Sequence, residues 1–202
     1  MGQYYRLVLL NSKKKSYPNK KKVAAYLQSW DFGSGAKLME FSWIGNHFVG
    51  RLEELINKEH GKYAGYPVIV AGDYADEEPN TLNNEKWNIY GLAYQFGHRI
   101  EPEEAPEPKH YRYVINEDKK VFIDCERMKV CGVTKWEGEK DTIWQVHPLT
   151  ILCCDGNGRG GGDLHQKHRM IGAWKRNVVV TSDNRPDEKE YKEVFYNFYE
   201  KF

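Results

Sequence analysis

Apolar and polar residues along this chain recur in two periods, and the change from one to the other marks its elements. Tyr4 to Leu10, Tyr111 to Ile115 and Val121 to Cys125 are rich in β-branched and aromatic residues and predict strands. Val68 to Ala71 and Val178 to Thr181 are short unbroken apolar runs, the pattern of strands covered on both faces, and an aspartate follows each, Asp73 and Asp183. Thr142 to Cys154 predicts a longer strand in which Pro148 must sit at an edge or a bulge. The period becomes helical at His47 to Lys58, where Phe48, Leu52, Leu55 and Ile56 share one face and Asn46 is placed to cap the start. Trp87 to Phe96 predicts a second helix. Asp187 to Phe202 predicts a third, with Pro186 ahead of Asp187, Glu190 completing a capping box, and Tyr191, Phe195, Phe198 and Phe202 at core spacing.

The same elements are written twice. Tyr5-Arg6-Leu7-Val8 recurs as Tyr111-Arg112-Tyr113-Val114, Leu38 to Asn46 can be laid on Leu149 to Asn157, and Val68 to Asp73 on Val178 to Asp183, in the same order and at nearly constant offset. Glu101-Pro-Glu-Glu-Ala-Pro-Glu-Pro108 between them reads as an extended, solvated connector. The expectation is an α+β protein of two related halves from an internal duplication, 1–100 and 110–202 joined by a connector at 101–109, mainly antiparallel sheet with a few covering helices. The halves could equally pack as one pseudo-symmetric domain.

Composition narrows the function classes. With 14 Tyr, 6 Trp and 8 Phe in 202 residues the chain can bury a core. A formal charge of +1 gives no overall attraction to nucleic acid, which is not favoured as a partner. The lysines at 13–15 and 20–22 read as a solvated strand-turn-strand hairpin rather than a phosphate-binding arm. No apolar run reaches the length of a membrane span, and residues 1–10 do not resemble an export signal. Cys125, Cys131, Cys153 and Cys154 lack metal or redox spacing and read as buried free thiols, which fits a cytoplasmic location.

The candidate chemistry gathers at Asp155-Gly-Asn-Gly-Arg-Gly-Gly-Gly-Asp163, where five glycines imply positive φ angles or close backbone approach. Asp155, Asn157 and Gly160 share positions 1, 3 and 6 of a calcium loop, but position 5 is Arg159, which could offer only its backbone carbonyl, and Gln166 stands where a bidentate glutamate belongs. Glycine-exposed amides with a guanidinium suit a phosphate dianion, although no Gly-Lys-Ser/Thr follows and the dinucleotide-binding glycine spacing is missing. Asp163, His165 and His168 are possible ligands for a divalent metal, with Asp155 and His147 as further candidates. Asp73, with Asp76 and Glu77, ends one apolar strand and Asp183 the other, where open sheets place ligands.

Three elements carry a family resemblance: Ala71-Gly-Asp-Tyr-Ala-Asp76, the 155–163 loop, and Ile171-Gly-Ala-Trp174 before a valine-rich strand. They resemble a family of uncharacterised bacterial and phage proteins, in whose members all three follow one another within a single unit. Here they are divided between the halves, which implies duplication followed by divergence; the resemblance implies no established activity.

The function expected is therefore a non-catalytic binding module that uses Asp155, Asn157, Arg159 and Asp163, with Asp73 and Asp183 as further polar contacts, to hold a small phosphorylated ligand or a protein partner. A metal-dependent phosphoesterase or nuclease built on Asp155, Asp163, His165 and His168 is the second reading, and a protein-binding inhibitor or immunity-type factor the third. Whether the chain is an enzyme stays open at this point, and no cofactor is implied beyond the divalent metal of the second reading.

Overall fold

A computed structural model describes residues 2–79, 86–128, 131–134, 142–164 and 169–198. It is an α+β structure, mostly sheet. The strands are β1 (Tyr5–Leu10), β2 (Val23–Gln28), β3 (Val68–Gly72), β4 (His98–Arg99), β5 (Tyr113–Asn116), β6 (Val121–Asp124), β7 (Cys131–Thr134), β8 (Thr142–Trp144), β9 (Cys154–Asp155), β10 (Val179–Ser182) and β11 (Lys192–Glu193). The helices are α1 (Asn19–Lys22), α2 (Leu38–Phe41), α3 (His47–Leu55), α4 (Ile89–Phe96) and α5 (Pro148–Leu152).

The strands form two mixed sheets and a separate pair, β7 with β8. Sheet one runs β4-β2-β1-β3-β9 and sheet two runs β10-β5-β6-β11. In sheet one β1 is antiparallel to both β2 and β3, while the edge strand β4 is parallel to β2. In sheet two β5 is antiparallel to both β6 and β10, while the edge strand β11 is parallel to β6. Sheet one then carries an additional strand: β9 lies parallel to β3, with Val70 opposite Cys154 and Ala71 opposite Asp155.

One hydrophobic core joins the sheets. Tyr5, Leu7 and Leu9 of β1, Val68 and Val70 of β3, Val114, Ile123 and Val179 of sheet two, and Phe48, Val49 and Leu52 of α3 belong to it, with Trp174 fully buried among them. The opposite face of β1, with Val8 and Leu10, is covered by Ile89, Leu92 and Ala93 of α4. α3 begins as its pattern requires, since Asn46 Oδ1 accepts from the amides of Phe48 and Val49 at 3.0 and 3.2 Å. α4 lies within the predicted span, and Asn88 Oδ1 accepts from Gly91 N at 2.9 Å.

Two predicted elements fold differently. The capping signals at Asp187 form a single turn, with Asp187 Oδ1 accepting from Lys189 N at 2.9 Å, and no helix follows over the described residues 188–198. Lys192 and Val194 instead donate to the carbonyls of Lys120 and Phe122, so the free edge of β6 captures a segment whose Tyr, Val and Phe also suit a strand. The long strand expected over 142–154 is divided. Pro148 opens α5, where a missing N–H costs nothing, and His147 Nδ1 accepts from Leu149 N at 3.2 Å.

β1 and β2 are antiparallel neighbours, but the lysine-rich link expected to be a solvated turn carries α1, and Lys22 at its end is fully buried. Its ammonium donates to Glu78 Oε2 at 2.8 Å and to the Lys15 carbonyl at 2.6 Å, while Arg176 pairs with the other Glu78 oxygen. Two cations on one carboxylate keep a buried charge cluster tolerable. Cys125, Cys153 and Cys154 are buried free thiols. Among the described residues no helix is long and apolar enough to cross a membrane.

Candidate functional site

The parallel contact of β3 with β9 brings two distant sequence motifs together. β3 runs out into Asp73-Tyr-Ala-Asp76 and β9 into the glycine loop, so both meet at the carboxyl ends of neighbouring parallel strands. Arg159 bridges them, donating to the Tyr74 carbonyl and pairing with Asp76 Oδ1, each at 2.8 Å. The segments divided in sequence are thus contiguous in space.

Asp163 organises the loop from beneath. It is 2 % exposed. Its Oδ2 accepts from the amides of Gly158, Arg159 and Gly160 at 2.8, 3.1 and 3.0 Å, and its Oδ1 accepts from the Tyr5 hydroxyl at 2.6 Å. Burial, followed by the neighbouring Cys154 and Asp163, pushes the Tyr5 phenol far up, so it stays a donor. The loop is an anion-binding nest already occupied by its own carboxylate, which corrects the expectation that these amides are open to a phosphate. Asn157 is also engaged: its Oδ1 accepts from Leu164 N at 2.8 Å and its Nδ2 donates to Leu164 O at 3.1 Å.

The glycines answer to the reasons anticipated for them. Gly156 has φ +100°, and a Cβ there would lie 2.5 Å from Nε2 of the fully buried Gln3; a Cβ on Gly160 would lie 2.5 Å from the Gln3 Cβ. The loop wraps the residue that leads into β1, and a side chain at either position would collide with it.

Above this floor opens a cleft of about 810 Å³, lined by the loop, Asp76, Leu164, Ile171, Gly172 and three cations, Arg159, Arg169 and Lys175. Its size falls within the range of small-molecule sites. Lys175 pairs with Asp155 at 3.0 Å. Arg159 and Asp76 are both well exposed, and each holds the other's charge: the Asp76 carboxyl is lowered and the Arg159 guanidinium raised by their contact. Arg169 is exposed and has no ion pair with a described residue. Cys154 also lines the cleft, but burial raises its thiol strongly, which makes it a poor nucleophile.

The other sequence candidates fall as follows. Asp155, Asn157, Arg159 and Asp163 converge. Asp73 lies beside them as a positioning group, its Oδ1 accepting from Tyr4 N at 3.1 Å, with burial raising its carboxyl. Asp183 is at the end of sheet two, where Arg112 N donates to it at 3.3 Å, and it does not line the cleft. His165 and His168 lie outside the described residues. His147 is buried and engaged, with Nε2 3.3 Å from Glu53 Oε1. Among the described residues no group of three or more metal-ligating side chains converges. The cleft residues missed from sequence are Arg169 and Lys175, which bracket the Ile171–Trp174 segment; two basic residues flanking a motif were the available signal. Tyr5 carried none. No family model, curated protein or solved structure matches this chain.

Proposed function

We propose that this chain is a non-catalytic binding module that holds a small phosphorylated ligand at the carboxyl ends of β3 and β9. The supporting observation is the set of three cations, Arg159, Arg169 and Lys175, around a cleft whose floor is held in place by its own buried carboxylate. Guanidinium forks match phosphate oxygens, and the amide nest beneath is unavailable, so recognition belongs to the side chains. Arg159–Asp76 is an exposed pair of small net value, so a dianion can take the place of Asp76 at little cost. Lys175 stands ready beside Asp155 in the same way. The buried Cys154, with its thiol pushed up by burial, offers the cleft no thiolate nucleophile.

Two further readings belong to this proposal. The halves descend from a duplication, supported by the shared order β4-β2-β1-β3 and β11-β6-β5-β10 with matching strand directions. The chain works in the cytoplasm, supported by its buried free thiols.

Thermal unfolding with inorganic phosphate, ADP and magnesium chloride tests the assignment. ADP at about a hundred times its Kd should stabilise the protein by about 2.7 kcal/mol, and Arg159→Ala with Arg169→Ala should abolish the effect. Stabilisation by magnesium alone would move the site to the metal-dependent reading. No shift with phosphate or ADP, or a shift that survives both substitutions, would remove the proposal.

A further inference from the structure

A second surface, on the α4 side of sheet one, is built around Arg6. Residues of β1 alternate between faces, so Arg6 stands in the same row as Val8 and Leu10, where an apolar residue would be expected. It is 6 % exposed. Four rings enclose its guanidinium: Tyr90 at 3.8 Å from the ring centre, Tyr26 and Tyr94 at 5.4 Å, and Trp30 at 5.9 Å. These come from β2, the turn after it, and the i, i+4 positions of α4.

The rings offset part of the Arg6 charge, but no carboxylate among the described residues does. Its Nε donates to Gln28 Oε1 at 3.0 Å and its Nη1 to the Tyr90 carbonyl at 2.7 Å, both neutral oxygens. Asp31, which accepts from Gln28 Nε2 at 3.3 Å, is taken by Arg99 at 2.6 and 3.0 Å. No carboxylate among the described residues pairs with Arg6. Burial lowers the guanidinium's affinity for its proton, with Arg99 acting in the same direction. Buried cations are ordinarily paired, as Lys22 and Arg176 are on Glu78.

The rings nearest solvent are poorly covered: Trp30 is 43 % exposed and Tyr94 is 65 % exposed. Trp, Tyr and Arg are the residues that dominate binding energy at protein interfaces, where a desolvated anchor is ringed by contacts that exclude water. We propose that this face docks an acidic segment of a partner protein, one Asp or Glu carboxylate reaching Arg6 while apolar side chains beside it cover Trp30 and Tyr94. The missing negative charge and the exposed rings are then two parts of one unfilled recognition surface. A shift of the exposed Tyr94 ring gives the carboxylate its path to the guanidinium.

An array of synthetic decapeptides tests the proposal, each with a single central Glu among Leu, Phe and Pro and each paired with its Gln twin. The full chain should bind a subset of the Glu peptides at least about tenfold more tightly than their twins. Tyr94→Ala and Trp30→Ala, both at exposed positions, should weaken that binding with the melting temperature unchanged. Arg6→Gln should erase the preference for Glu over Gln even where some binding persists, a readout that a folding defect alone would not produce. Equal binding of Glu and Gln twins, binding indifferent to Trp30 and Tyr94, or no binding at all would overturn the proposal. So would a concentration-dependent dimer that Tyr94→Ala dissolves, which would assign the face to a second copy of the chain.

Discussion

Sheet one and sheet two share a strand order and differ by one strand. Each has a central strand, β1 or β5, flanked by two antiparallel neighbours and a short parallel edge. Each ends its third strand on an aspartate that accepts from the backbone just before the central strand, Asp73 from Tyr4 N and Asp183 from Arg112 N. The outer edge of β10 carries, among the described residues, only a single parallel bridge, Asn57 with Thr181, flanked by hydrogen bonds to Ile56 and Lys58, while the outer edge of β3 pairs with β9, a two-residue strand from the other half of the sequence. The cleft belongs to that addition. A shared strand order therefore supplies the strand ends, and β9 with its glycine loop supplies the cleft.

The largest test of this contrast is Asp163→Ala. It would strand three loop amides and the Tyr5 hydroxyl without their acceptor, at a cost of about 4 kcal/mol measured by urea denaturation. Hydrogen exchange should show the loss concentrated at β9 and the end of β3, with sheet two protected as before. Uniform loss over both sheets would mean that β9 is no separable addition.

Glu53 tests the opposite property, the joint between the sheets. This fully buried α3 carboxylate takes His110 Nδ1 at 2.7 Å, His147 Nε2 at 3.3 Å and Tyr111 N at 3.3 Å, with the Cys125 thiol also near, while its own carbonyl accepts from Thr181 of β10 at 2.6 Å. Burial favours the protonated acid, but the two histidines outweigh it and hold the Glu53 carboxyl below 4.5. The hydrogen bond to Glu53, against burial, holds His110 above 6.5. The Glu53 contribution is complete above pH 4.5 and is lost as pH falls through its folded value; that of His110 is complete below pH 6.5 and is lost as pH rises through its folded value. Both are present between pH 4.5 and 6.5. Glu53→Gln should cost about 3 kcal/mol, spread over both sheets, and flatten the pH profile on both sides of that window. A retained profile would place its origin elsewhere.

A smaller and more local effect is expected at the loop's first glycine. Gly156→Ala combines a φ of +100° with a clash against Gln3 Nε2 at 2.5 Å, for a cost of about 2 kcal/mol in the same denaturation series. Gly45→Ala, at φ +92° with nothing within 4 Å of the added methyl, isolates the backbone part and should cost less. Equal costs would show that the contact with Gln3 contributes nothing.

How much of this was legible depended on how local each cause is. β1, β3, β6, β10, α3 and α4 follow from hydrophobic period and capping residues that lie within a few positions of one another. The helix expected after Asp187 failed although the Asp187 side chain caps a turn, because the competing hydrogen bonds come from the carbonyls of Lys120, just before β6, and Phe122 within it. The loop's need for glycine could be read directly. The occupant of its amides could not, since Tyr5, which orients Asp163, is 158 residues away and looks like any strand tyrosine. Arg6 stood in plain view within a strand pattern, but its lack of a carboxylate partner exists only once α4 is folded over it.

The weakest expected effect on stability discriminates most sharply between the sheets. Arg159 is an exposed residue paired with an exposed Asp76, so Arg159→Ala should change stability by at most about 0.5 kcal/mol. If the cleft holds a phosphorylated ligand as proposed, the same substitution should weaken or abolish stabilisation by ADP. Arg112 offers the control in sheet two: it pairs with Asp124 at 2.9 Å and Glu126 at 2.9 Å, away from β9 and the glycine loop. If the site arises from β9 rather than from the shared scaffold, Arg112→Ala leaves the ADP response intact. Equal loss in both variants would mean that ADP binds diffusely to surface cations, and the cleft would then have no special claim.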